Sequence, residues 1–372
     1  MKYRKLGKTG LEVSEIGFGC TYFRETGEQV LSKMFDIGIS AGINFLDCCL
    51  SRPDDRDVVG RLLKGRRDKI IIQGHLGLTV ENGQEALTQD LHKSREHVED
   101  LMRRLGTDYI DIAMLHCIDQ PEEYEGAVKS GLIDYMLEQK KKGVFKYLGF
   151  SSHEVDLATR MVNSGSFDVV MFSISPLFDL VFNDMDRFFT MPNDEAYPKK
   201  LDIDDRRAGF YRLCAEKGIG ISVMKALGAG SLVDPNDTPF DRAMTVGQCI
   251  RYALNRPAVS GVFLGMKDEK QLMDALAYYD CSEEELDYSS ILSSVTGELT
   301  IKCLYCNHCL PCSARIDIGK VTRLLDKGDE NDEYSKLEVK PSSCNGCGHC
   351  IPRCPFGINA QANMKKAAAK YS

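Results

Sequence analysis

The 372-residue chain is 43% hydrophobic and 27% charged, enough for one large domain and a small one. A formal net charge of -8, a pI near 5.5 and no face of clustered lysine and arginine argue against nucleic acid or anionic membranes as partners. No apolar run reaches the ~18 residues of a membrane span. The basic N-terminus lacks an export signal's apolar stretch, so a cytoplasmic protein with small-molecule chemistry is expected.

In chain order, YRKLGKTGLEVSEIG alternates around Lys8-Thr9-Gly10 like a hairpin and is predicted to cap the bottom of the next domain. Short β-rich runs follow: EIGFG, INFLD, KIIIQGHL, YIDIAMLHCI, KYLGFSS, DVVMFSIS, GIGISVM and VSGVFLG. Helical patterns lie between them, several closed by a glycine just past the last turn, as in VEDLMRRLG and FYRLCAEKG. Eight strand–helix units, with no GxGxxG opening the first helix, predict a closed parallel (β/α)8 TIM barrel rather than an open doubly wound sheet. The connection LVFNDMDRFFTMPNDEAYPKKLDIDDRRAG after the sixth run exceeds an ordinary loop, and reads as a lid over the barrel mouth or a solvated insertion. CSEEELDYS is predicted to start a helix, with Ser282 as N-cap and Glu285 completing a capping box.

Composition changes near residue 290, which divides the chain into a barrel over 1–285 and a small domain over 286–372. Of fifteen cysteines, Cys20, Cys48, Cys49, Cys117, Cys214, Cys249 and Cys281 are scattered through the barrel, and eight crowd into the tail. A long chain without an export signal is a poor candidate for a disulfide framework. Residues 303–312 read C-x2-C-x2-C-x2-C, and 344–355 read C-x2-C-x2-C-x3-C-P. The second is the spacing of bacterial two-cluster ferredoxins, where the fourth cysteine of each run serves the other cluster. On that pattern Cys303, Cys306, Cys309 and Cys354 would hold one [4Fe-4S] cluster, and Cys344, Cys347, Cys350 and Cys312 the other. Ser313 stands where proline would follow a fourth cysteine. Two structural zinc sites are the competing assignment, but zinc ribbons separate their cysteine pairs by a hairpin, whereas near-constant spacing occurs here twice. His308 and His349 lie inside the runs and are spare.

Barrels of this type keep their chemistry at the C-terminal ends of the strands. The polar residues there are Asp47, His75, His116, Ser151, Ser152, His153 and Lys225, with Gly265 and Lys267 after the last strand. A carboxylate beside two imidazoles is an array that tunes proton transfer.

The runs YRKLGKTGLEVSEIGFG, AGINFLDCC, LGTDYIDIAMLHCID and LGFSSH resemble the aldo/keto reductase superfamily over roughly residues 1–285, in a subgroup with a C-terminal two-[4Fe-4S] ferredoxin-like domain. The resemblance implies a barrel that binds NADP(H) and passes hydride to a carbonyl carbon. It also implies an Asp, a Lys fixed by it, a Tyr that gives the proton and a His that positions the carbonyl oxygen. Asp47 and His116 match the family's Asp and His; Arg52 stands where the Tyr is expected and His75 where the Lys is expected. His75 becomes the expected acid beside Asp47 and His116, with Tyr22 second. The cofactor residues are thinned too: Met171 replaces a Gln, and Gln271 and Ala275 replace an Arg and an Asn, leaving Ser151, Ser152, Lys225, Gly265 and Lys267 to hold a nucleotide.

The expected function is an iron–sulfur oxidoreductase of the aldo/keto reductase type, acting on a small carbonyl-type substrate in anaerobic metabolism, with a ferredoxin or another redox partner. NADP(H), a flavin and direct electron delivery stay open as electron sources. The alternative is an electron-transfer or redox-responsive protein whose barrel has lost reductase activity.

Overall fold

The computed structural model describes residues 1–180, 203–294, 302–329 and 332–371. It divides into two units, Met1–Leu76 with Gln89–Thr300, and Gly77–Thr88 with Ile301–Ser372.

In the first unit, β1 (Tyr3–Lys5) and β2 (Glu12–Ser14) form the antiparallel hairpin expected at the N-terminus. Gly7 at its turn has φ +53°, and a Cβ there would lie 2.4 Å from the carbonyl oxygen of Gly218. Only glycine lets the hairpin approach the start of the strand at Gly220, which is the bottom of the barrel. The strands β3 (Ile16–Gly19), β4 (Phe45–Cys48) and β5 (Ile71–Leu76) follow. The hairpin β6 (Leu78–Glu81) and β7 (Gln84–Leu87) interrupts the barrel before β8 (Ile110–Leu115), β9 (Phe145–Ser152), β10 (Val169–Ser173), β11 (Gly220–Met224) and β12 (Val259–Leu264). β3, β4, β5, β8, β9, β10, β11 and β12 close in that order into a parallel barrel, as the eight apolar runs predict.

Strands buried on both faces must be apolar almost throughout, and β8, IDIAML, is buried at all six positions. Phe45, Ile112, Met114, Val169, Met171 and Phe263 pack together in one cluster, with the Phe45 and Phe263 rings 4.4 Å apart. A larger cluster joins the strands to the surrounding helices. The helix Leu91–Leu105 shows the local logic: Asp90 accepts from the Lys93 amide at 2.8 Å, Val98, Leu101 and Leu105 are buried, and Gly106 ends it at φ +63°. At Ser282 and Glu285 the reciprocal capping bonds form, at 2.8 and 3.3 Å, but the segment is a turn and not a helix. Most of the long connection after β10, residues 181–202, lies outside the described residues.

The second unit is built on the helices Ile318–Lys327 and Ala360–Lys370. Leu310, Ile316, Val321, Leu324, Leu337 and Met364 form its core, and Cys309, Cys312, Cys344 and Cys350 pack against it. The β6–β7 hairpin belongs to this unit, whereas a division at residue 285 assigns it to the barrel. Its turn carries Asn82 at φ +52° and Gly83 at φ +79°, left-handed positions that this dipeptide favours. Gln84 accepts from the Cys312 amide at 2.8 Å and donates to the Ile316 carbonyl at 3.0 Å.

One buried ion network ties the barrel's helices to the end of β10. Asp179, fully buried, accepts from Tyr211 at 2.6 Å, Arg207 at 2.8 Å, Tyr252 at 2.9 Å and Arg256 at 3.1 Å. Asp179→Ala would strand the buried Arg207 cation, and about 3–5 kcal/mol of stability should be lost. Denaturant unfolding checks this, and a loss below about 1 kcal/mol would show that the network holds nothing together.

Candidate functional site

β4, β5 and β8 deliver Asp47, His75 and His116 to the same end of the barrel, the end where their C-termini open. All three side chains are buried: Asp47 is 6% exposed, His75 1% and His116 9%. His75 Nε2 lies 2.8 Å from Asp47 Oδ1, and His75 Nδ1 lies 2.9 Å from His116 Nδ1. Gln73 donates to the same Asp47 oxygen at 3.3 Å. The carboxylate assigns the tautomer: with the His75 Nε2–H donating to Asp47, Nδ1 carries a lone pair, and His116 Nδ1–H donates to it. Cys49 Sγ closes the array, 3.6 Å from His116 Nδ1 and 3.8 Å from its Nε2. Cys49 is half-buried, so the array opens on its side and not at His75. His75, the expected acid, is therefore sealed between Asp47 and His116, and His116 is the outer imidazole.

The turn that carries Cys49 is clamped by Arg56. Its guanidinium donates to the carbonyls of Leu50 at 3.0 Å and Ser51 at 2.6 Å, pairs with Asp100, and reaches His97 Nδ1 at 2.9 Å. His97 accepts only while neutral. Burial first, and then the charge of Arg56, hold its pKa at about 3 instead of 6.5. Nearby, the Cys20 thiol is pushed up by burial, by its hydrogen bond to Cys48 and by the charges of Cys48, Asp47 and Cys49.

The residues expected to hold a nucleotide are largely engaged with protein partners. His153 Nδ1 lies 2.8 Å from Asp119 Oδ2, and Lys225 Nζ lies 2.6 Å from His153 Nε2. The ammonium can only donate, so His153 is a neutral acceptor at Nε2. Ser152 Oγ donates to Asp119 at 3.2 Å, and Ser151 Oγ accepts from the Cys117 amide at 2.7 Å. Lys225 holds φ +60°, a left-handed backbone costly for a side-chain-bearing residue. Lys267 sits 4.0 Å over the Tyr22 ring and 3.2 Å from Glu25, and a Cβ at Gly265 would meet that ring at 3.0 Å. Tyr22 is thus committed to the wall formed by Gly265 and Lys267. Met171 sits in the apolar cluster with Met114.

In the second unit the thiols form two groups. Burial first, and then the charges of Cys306 and Cys354 against the Tyr305 amide, push Cys303 up to about 12. Cys309 is raised by burial and by Cys306, Cys303 and Cys354, with Cys350 contributing last. Cys350 is raised by burial and by Cys312, Cys344 and Cys347. Cys312, Cys344, Cys347 and Cys350 line one small hollow of ≈ 20 Å³. Donors point at the sulfurs: the Ile358 amide lies 3.4 Å from Cys354 Sγ and Ser313 Oγ 3.3 Å from Cys347 Sγ, and the latter contact, with the His349 amide, lowers the Cys347 pKa.

Sequence reading did not single out Arg56, Asp119 or Gln84, and it counted Cys49 and Cys117 only among scattered thiols. Only Gln84 had an overlooked cue, the Asn82-Gly83 dipeptide before it. The others are recruited by contacts between helices, strand ends and the segments after them that are distant in sequence.

A closed parallel barrel with a buried carboxylate–imidazole array at its strand ends has the architecture of a barrel enzyme. The model of the aldo/keto reductase family matches residues 15–246, more than half of the chain, and the chain belongs to that family. Among its relatives, the uncharacterized oxidoreductase YqkF of Bacillus subtilis is 32% identical over 186 residues, 48% of this chain and 58% of that one. The aldo-keto reductase YhdN of the same organism is 28% identical over 169 residues, 42% of this chain and 48% of that one. The chain thus spans about half the length of the curated relatives it matches. The aldo-keto reductase AKR11C1 of Bacillus halodurans, in its holo form, shares the fold with a TM-score of 0.61 at 24% identity, over 80% of this chain and 98% of that one. Among the described residues no helix is long and apolar enough to cross a membrane.

The Arg56–His97 contact predicts a pH dependence. A histidine held at about 3 when folded and near 6.5 when unfolded contributes its full stability above pH 6.5 and loses it as pH falls toward 3. Between pH 7.5 and 4.5 roughly 2–4 kcal/mol should disappear from this source. In His97→Gln, whose amide oxygen still accepts from Arg56 without titrating, denaturant unfolding should show a flatter pH profile. An unchanged profile would remove His97 as its origin.

Proposed function

We propose that the chain is an iron–sulfur oxidoreductase of the aldo/keto reductase type that reduces or oxidises a small carbonyl-type substrate at the barrel mouth. The observation that carries this reading is the hydrogen-bonded array Asp47–His75–His116, buried at the end of the barrel where such enzymes react. In it, His116 in its imidazolium form meets the substrate oxygen from the open side beside Cys49 and donates its Nε2 proton to it, while its Nδ1–H stays bonded to His75. Asp47, acting through His75, stabilises the positive charge of His116 before the transfer, and solvent on the open side returns the proton afterwards. His116 is the catalytic residue; His75 and Asp47 position it and stabilise its charged form.

The eight C-terminal cysteines suit two [4Fe-4S] clusters: one group would be Cys303, Cys306, Cys309 and Cys354, the other Cys312, Cys344, Cys347 and Cys350. Thiols that raise one another's pKa accumulate negative charge once ionised, and a cationic iron core relieves it. Bound there, the clusters supply one-electron transfer at low potential. A ferredoxin-like carrier fits as redox partner, and a cytoplasmic, anaerobic setting fits the exposed thiol of Cys347.

NADP(H) stands as a separate proposal, because Ser152, Lys225 and Lys267 would have to exchange their partners to hold it. Those engaged side chains favour the second reading, in which the chain carries electrons and the barrel has lost its reductase chemistry.

Anaerobic titration of the iron-replete protein with NADPH, followed by visible absorbance and EPR, separates the two. Cluster reduction or a saturable nicotinamide signal supports the enzyme with NADP(H). Reduction by dithionite or ferredoxin alone, with no turnover of carbonyl substrates, supports the carrier. His75→Ala should lower kcat by roughly 10²- to 10⁴-fold with little change in KM, and unchanged turnover would remove the array from the mechanism. Cys347→Ser should lose the EPR signal of one cluster and keep the other. Full turnover in that variant would show that electrons do not need the pair of clusters.

A further inference from the structure

From the juxtaposition of Cys49 Sγ, His75 Nδ1 and His116 Nδ1 at the barrel mouth, we infer that this site binds a divalent transition-metal ion of the zinc class, with Asp47 as the outer partner of His75. The inference deepens the reading of the barrel mouth as the reactive site and is independent of the iron–sulfur assignment.

The ligand atoms of Cys49, His75 and His116 all lie within 4.8 Å of one another. Zinc–nitrogen bonds of ~2.0–2.1 Å and a zinc–sulfur bond of ~2.3 Å, at tetrahedral angles, separate nitrogen from sulfur by about 3.6 Å and nitrogen from nitrogen by about 3.3 Å. Cys49 Sγ is 3.6 Å from His116 Nδ1, and the two Nδ1 atoms are 2.9 Å apart. The sulfur is already at the required distance. The imidazoles need to part by a few tenths of an ångström, which a proton shared between them does not ask but an ion between them would impose.

The orientation is set by Asp47. A ligating imidazole needs a lone pair on the metal side and, in stable sites, a carboxylate or carbonyl on its other nitrogen. His75 meets both conditions: Nε2 faces Asp47 at 2.8 Å, and Nδ1 faces His116 and the thiol. On binding, His116 moves its proton from Nδ1 to Nε2, and the Cys49 thiol releases one proton to solvent, so one proton leaves per ion bound. Two imidazoles and one thiolate select zinc among the common divalent ions, since magnesium and calcium want oxygen. Three protein ligands leave a fourth position, the arrangement of catalytic rather than structural zinc. That position lies toward the half-buried Cys49 side, where the substrate oxygen is placed by the proposed mechanism. In the loaded site His75 and His116 are ligands, and the charge of the ion would take the place of the proton that His116 gives in the metal-free site.

The test uses the full, cluster-replete protein. It is dialysed anaerobically against a chelator, titrated with zinc against a chromophoric competitor, and examined by zinc-edge X-ray absorption, which is blind to the iron. The expected result is one zinc per chain with one sulfur and two imidazole nitrogens among its neighbours. Cys49→Ser and His116→Gln should each abolish that site while the iron content stays unchanged, and Asp47→Asn should weaken it roughly 10- to 100-fold. Zinc surrounded by sulfur alone and insensitive to Cys49→Ser, or no zinc retained by the wild type, overturns the inference. Zinc binding as expected without carbonyl turnover leaves the metal site standing and removes the proposed activity. Carbonyl turnover that chelation does not touch, in a protein that binds no zinc, does the reverse.

Discussion

The contact between Asp47 and His75 is the constraint on which the barrel mouth depends. It is a 2.8 Å hydrogen bond between the end of β4 and the end of β5, neighbours in the barrel whose register sets Asp47 beside Gln73. Gln73 lies two residues before His75, and its amide donates to the same carboxylate oxygen. That oxygen therefore fixes which nitrogen of His75 keeps the proton, and through it the polarity of the contact with His116. Neither imidazole can rotate without losing a buried hydrogen bond, which costs roughly 1–3 kcal/mol. The orientation of His116 is consequently set from behind, by Asp47 and Gln73 through His75.

Arg56 performs the matching task for the remaining wall. Its bonds to the Leu50 and Ser51 carbonyls hold the turn after β4, and that turn places Cys49. A buried guanidinium is tolerable there because Asp100 neutralises it and His97 stays uncharged. The mouth is thus assembled from two polar networks, that of Asp47 and His75 and that of Arg56, and the second needs His97 neutral.

The barrel was legible because its signal is local. Each strand announces itself by a short apolar run, and burial on both faces leaves few other residues at those positions. Asp47, His75 and His116 were legible for the same reason, since each directly ends such a run. Their relative exposure was not: His75 is the more sealed imidazole only once β4, β5 and β8 are side by side. The β6–β7 hairpin carried the Asn82-Gly83 cue, but its length fits an ordinary insertion after a barrel strand. That Gln84 grips the loop of Cys312 depends on a pairing between residues more than two hundred positions apart, which one sequence does not encode locally. The cysteine runs stand out in the sequence by their spacing, whereas their sorting into two groups emerges from burial and mutual charge.

The two departures from the family's acid machinery belong together. The resemblance implies a lysine, fixed by the aspartate, whose charge lowers the pKa of a tyrosine. With Arg52 in the tyrosine's place there is no phenol to tune, and a permanent ammonium next to His116 would only oppose protonation of the imidazole. His75 in the lysine's place keeps the partner that Asp47 requires and removes the fixed charge. What remains is a pair of imidazoles joined by one proton, with Asp47 behind His75. The carboxylate that the resemblance pairs with a lysine here pairs with an imidazole, so Asp47 keeps a nitrogen partner of a different kind.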